Sequence, residues 1–94
     1  MNPRIRKKDQ YLPGEWRVVE SRHGVVMVHG SYATPAIAQY RAERINAPGD
    51  LHWFVDEEFG GSWASSSGGW FRVMDGFAYA RFSESDRDEG EITE

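Results

Sequence analysis

The chain has no cysteine, which excludes disulfides, zinc–thiolate centres and cysteine nucleophiles. Lysine occurs only as Lys7 and Lys8, and leucine only as Leu12 and Leu51. No apolar run approaches the roughly 18 residues of a membrane span, and no signal-peptide pattern opens the chain. These absences lead to the expectation of a cytoplasmic protein with no membrane partner. The formal net charge is −4, which argues against a basic coat on duplex DNA but leaves room for a local nucleic-acid patch.

Ninety-four residues suffice for one domain. A domain of this size buries only about 60% of the surface its unfolded chain exposes. Hydrophobic residues make up 39% of the chain, but four Trp, four Tyr and five Phe are among them. Each buried ring removes on the order of 150–250 Å² from water, so a few rings replace many aliphatics. The expected core is therefore aromatic, with some rings left over for a surface.

Charge is unevenly placed. Residues 1–10 carry Arg4, Arg6, Lys7 and Lys8 against Asp9. Residues 83–94 carry Glu84, Asp86, Asp88, Glu89, Glu91 and Glu94 against Arg87. Neither end has hydrophobic periodicity, so both read as flexible tails flanking a domain over 11–82. Such tails keep a small domain solvated or steer a partner by their local field.

Within the domain, Glu15 to Ser21 mostly alternates bulky and polar residues, and Val25 to His29 is β-branched. With Arg22-His23-Gly24 as turn, they form a hairpin. Thr34-Pro35 is an N-cap followed by proline at the first helical position. The helix runs to Ile45, with Ile37, Ala38, Ala42 and Ile45 as a narrow apolar stripe, and Asn46-Ala47-Pro48-Gly49 stops it. Leu51 to Asp56 alternates as a third strand, and Gly60 to Gly69, with four glycines and four serines, reads as a flexible loop.

Asp75-Gly76 between Trp70–Met74 and Phe77–Phe82 predicts a second hairpin. Its register puts Met74 opposite Phe77, Arg72 opposite Tyr79 and Trp70 opposite Arg81 on one face, with Phe71, Val73, Ala78, Ala80 and Phe82 on the other. The resulting fold class is α+β, an antiparallel sheet of element order β-β-α-β-β-β with one helix packed on one face.

Catalytic patterns are weak. His23, His29 and His52 lack metal-ligand spacing, and no metal or other cofactor is expected. Ser62, Ser65, Ser66 and Ser67 sit in no G-x-S-x-G elbow, and no Walker loop is present. Glu57 and Glu58 are adjacent, so along a strand they point to opposite faces. The expectation is a protein without enzymatic activity.

The candidate binding surface comprises Trp70, Arg72, Phe77, Tyr79 and Arg81 on the predicted hairpin, together with Trp63. Rings beside arginines suit stacking of bases or of a partner's side chains, with cation–π or phosphate contacts. Alternatively, the arginines pack across the rings of their own sheet. Trp63, in a Gly/Ser stretch, either folds back onto the sheet or stands as an exposed anchor.

Trp16-Arg17-Val18-Val19, Gly24, Tyr32-Ala33-Thr34-Pro35 and Arg41-Ala42-Glu43-Arg44-Ile45-Asn46 resemble a pattern in small proteins of actinobacteria and their phages. There a Trp-led strand, a Gly turn and a second strand lead into a Thr-Pro helix. The resemblance covers about a third of the chain and is architectural. It implies a small accessory gene product with no active site to carry over, and a phage product would work in the host cytoplasm.

Three functions follow as expectations. The first is an interaction protein, a phage accessory factor that binds and modulates a host protein. The second is single-stranded nucleic-acid binding through the Arg/aromatic face and the basic arm. The third is an acidic decoy built on residues 83–94. An exposed sheet edge also makes a homo-oligomer a candidate state.

Overall fold

A computed structural model describes residues 15–92, with side chains as far as Ser85. The basic arm at 1–10 lies outside the described residues. Strand β1 (Trp16–Arg22) turns through His23 and Gly24 into β2 (Val25–Tyr32). Both turn residues have positive φ, 52° and 84°, the mirror-image geometry that matches strand twist. The register shifts between Val18 and Val19, which face Gly30 and Val28 respectively, so His29 is an extra residue in β2.

Helix α1 (Pro35–Asn46) starts where Thr34 Oγ1 accepts from the Ile37 N–H at 3.1 Å. Its buried residues are Ala38 and Ala42, one turn apart, with Ile45 packed beside them. Ile37 faces out, which corrects its place in the predicted stripe. The short side chains let the helix lie close on the sheet.

Strand β3 is only Phe54–Val55, where the sequence predicts 51–56. Leu51 and Trp53 instead pack against the cluster formed with α1, and Trp53 Nε1 donates to Glu43 at 2.9 Å. Strand β4 (Ser62–Ser66) occupies half of the predicted Gly/Ser loop and pairs with β5 (Gly69–Met74). Glycine serves close approach here. A Cβ on Gly61 would lie 2.0 Å from the Val73 carbonyl oxygen, and one on Gly69 would lie 2.1 Å from that of Ser21.

Residues 77–82 are helical, not a strand. Asp75 is the cap of α2 (Gly76–Ile92), its Oδ1 accepting from the Ala78 N–H at 2.9 Å. The predicted Met74–Phe77, Arg72–Tyr79 and Trp70–Arg81 pairs therefore do not form. Ala78, Tyr79 and Phe82 share one helical face and pack on Val19 and Met74. The helix continues to Ile92, so the segment predicted as a flexible acidic tail from 83 is helical as far as that residue.

The fold is α+β, as expected. Five antiparallel strands in the order β2-β1-β5-β4-β3 have α1 on one face, and the order β-β-α-β-β-β describes the first six elements. The second helix, unforeseen, covers part of the opposite face. The α1 side is filled by Val18, Ala64, Phe71 and Val73 against Ala38, Ala42 and Leu51. No helix among the described residues is long and apolar enough to cross a membrane.

Candidate interaction surface

The Arg/aromatic residues come together, but as a layer between sheet and helix. Alternation along β5 turns Trp70, Arg72 and Met74 toward α2. The Arg72 guanidinium lies over the rings of Trp70 at 4.9 Å, Phe59 at 5.1 Å and Phe82 at 5.9 Å. Phe82 meets Phe59 and Trp70 edge-on, with centroids at 5.4 and 5.8 Å. Flat π faces toward the cation and edges toward one another is the arrangement their quadrupoles favour.

Asp56 closes the cage. Its Oδ2 accepts from Arg72 at 2.8 Å, and its Oδ1 accepts the N–H groups of Glu58 and Phe59, both at 3.1 Å. One buried carboxylate thus fixes the loop that delivers Phe59 and neutralises the arginine. Glu58 adds a longer, exposed contact at 3.8 Å. Arg81 donates to the Phe59 carbonyl, tying α2 to the same loop. The sequence offered no local sign of Asp56 and Phe59 in this role, because they reach Arg72 only through the fold.

Of the remaining predicted residues, Trp63 lies in β4 and packs on Phe54, ring centroids 5.6 Å apart. Tyr79 receives the guanidinium of buried Arg17 at 5.4 Å, and Phe77 is exposed on α2. The six residues therefore form no single open surface. Trp70 and Arg72 are engaged with their own chain, the packing alternative of the sequence reading.

A second ion cluster sits on the α1 side. Glu20 is 2% exposed, and its Oε2 accepts from Arg22 Nε at 2.8 Å. His29 Nε2 lies 2.7 Å from Oε1, so it carries the hydrogen of that contact. Glu20 and Arg22 also line a polar cleft of about 370 Å³ with His23, Asn46, Ser66 and Ser67. Its charged groups are paired with each other. His23 lies in the β1–β2 turn and His52 between α1 and β3; among the described residues no three metal-ligating side chains converge.

Among the described residues, what remains open is an edge. Strand β2 ends the sheet on one side, and over eight residues it contains no Lys, Arg, Asp, Glu or Pro. Val25, Val26 and Val28 are 59%, 38% and 46% exposed. The His23 N–H donates to Gly68 at 2.9 Å, so Ser21 and Val19 of β1 turn their backbone groups toward β5, and Arg22 and Glu20 turn theirs toward β2. Their partners Val25 and Met27 are thereby satisfied. Val26 and Val28 face outward with N–H and C=O. A hollow of about 200 Å³ lined by Arg17, Val28, Ser31 and Tyr79 adjoins this edge on the α2 side.

No family model matches the chain, and neither a curated protein nor a solved structure matches it.

Proposed function

We propose that the protein is a non-enzymatic interaction protein, a phage accessory factor that binds a host protein in the cytoplasm by accepting a strand along β2. The observation that carries this reading is the edge itself. Natural sheets blunt their edges with charge, proline, shortness or a bulge, because unpaired backbone groups template pairing. Strand β3 is blunted by its two-residue length. Strand β2 has the His29 bulge at its middle, directly after the segment from Val25 to Val28, which carries none of these devices. Strand addition gains affinity from main-chain hydrogen bonds and specificity from pockets beside the edge, here the hollow at Val28 and Tyr79.

The phage setting is supported by the resemblance of the ββα segment alone. Nucleic-acid stacking draws no support from an arrangement that spends Trp70 and Arg72 on internal packing.

The test is capture from an actinobacterial lysate, followed by purification of the captured protein and hydrogen exchange on the complex. A specific partner is expected to be lost with Val28→Lys and kept with Trp63→Ala, and to protect the amides of Val26 and Val28. Capture insensitive to Val28→Lys, or protection elsewhere, overturns the reading.

A further inference from the structure

We infer that a second copy of this chain pairs with the β2 edge, antiparallel and about a two-fold axis at Met27. The inference rests on the same open edge as the proposed function, and the second copy, in one register, competes there with a host strand. The backbone dictates that register. In an antiparallel pair, bonded positions alternate with unbonded ones, and a two-fold axis must relate each residue to its mate. The outward-facing residues are Val26 and Val28, with inward-facing Met27 between them. Placing Met27 opposite its own copy sets Val26 opposite Val28 of the second chain and Val28 opposite its Val26. Both positions of each such pair offer a free N–H and C=O, so each exchanges two hydrogen bonds, and the unbonded Met27 pair sits on the axis.

Side chains fit the same register. The four valines form a continuous apolar patch on the α2 side, since Val28 faces Val19 and Val26 faces Ser21 across β1. On the α1 side Met27 meets its copy and Val25 lies opposite His29. No charged Lys, Arg, Asp or Glu occurs on β2, so no like-charge contact opposes self-pairing. The turn at His23-Gly24 and the bulge at His29 end the match on either side. Only five residues a side are paired, at the small end of interface sizes, and a dimer exchanging at about micromolar concentration is expected.

The absence of cysteine makes the register directly testable. In an unbonded antiparallel pair the Cα atoms are about 4.5 Å apart, within disulfide reach. The full chain carrying Met27→Cys is expected to form a covalent dimer under mild oxidant at least about tenfold faster than one carrying Val55→Cys, an exposed position on the other edge. Sedimentation equilibrium of the wild type is expected to show a monomer–dimer equilibrium, and Val28→Lys to raise its dissociation constant about tenfold or more, with an unchanged circular-dichroism spectrum confirming that the variant folds. A wild type that stays monomeric, a dimer indifferent to Val28→Lys, or Met27→Cys that cross-links no faster than Val55→Cys overturns the inference. If such a monomer still captures a host protein through Val28, strand addition stands and self-pairing alone falls.

Discussion

On the α1 side of the sheet, Val18, Phe71 and Val73 meet Ala38 and Ala42, and closure is achieved by small residues at close range. On the α2 side, Val19, Met74 and Ala78 form a smaller cluster, extended by Phe59, Trp70, Tyr79 and Phe82 around the Arg72 guanidinium. A chain with two leucines has too few aliphatics to fill both sides alike. An arginine with its charge neutralised offers a long apolar stem and a flat cation that rings can cover. The difference has an energetic consequence. The α1 cluster depends on volume, whereas the α2 cluster depends on one carboxylate staying in place.

Breaking the α1 side should have the largest effect. Phe71 is fully buried at the centre of that cluster, and Phe71→Ala removes a ring that neighbours on three strands and a helix cannot replace. The expected loss is about 4 kcal/mol, a transfer term plus a cavity term, read from the urea midpoint at constant slope.

The α2 side should break through its charge. Asp56→Ala leaves Arg72 in its cage without a buried partner and frees the Glu58 and Phe59 N–H groups. Removing one member of a buried pair is expected to cost about 3 kcal/mol. Asp56→Asn keeps an acceptor for both N–H groups while removing the charge, and should fall between wild type and alanine. If asparagine is as damaging as alanine, the charge is the whole effect; if it is neutral, the loop contacts are. Either result sharpens the contrast with the α1 side, whose apolar cluster contains no charged residue and whose buried Glu20 is paired with Arg22 and His29.

How much of this was legible follows the same division. The α1 side was mostly readable because its signals are local: β-branched runs, the His23-Gly24 turn, and Thr34-Pro35 opening a helix whose alanines recur at i and i+4. The α2 side was not. Gly61 and Gly69 look like linker residues in sequence, and only the backbone approaches to Val73 and Ser21 reveal why glycine is required. Residues 77–82 satisfy both a period of two and a helical face at 78, 79 and 82, so the pattern alone could not decide. The Arg72–aromatic grouping was visible, but whether it lay open depended on a helix that the same ambiguity concealed. The open edge was equally hidden. Strand β2 was readable as a strand, yet its place at the border follows from β1 pairing with β5, about fifty residues away in sequence, which no local pattern encodes.

The smallest predicted effect is at the residue where these two readings diverge. Asp-Gly in front of apolar residues favours a hairpin when the next strand has something to pair with. Here β5 is already paired on both sides, by β1 and β4, so a strand over 77–82 could not fold back on β5 as a hairpin. The chain turns out of the sheet instead, and the same Asp75 carboxylate that would have served a turn accepts the Ala78 N–H. Asp75→Ala should therefore cost only about 1 kcal/mol, as for other helix caps, and Asp75→Asn a few tenths. The loss should appear as faster amide exchange in the first turn of α2, at Phe77 and Ala78, with no change at Phe71 or Val73. An equal loosening of β5 would mean that Asp75 holds the strand rather than the helix, and the account of how the α2 side closes would have to begin from β5.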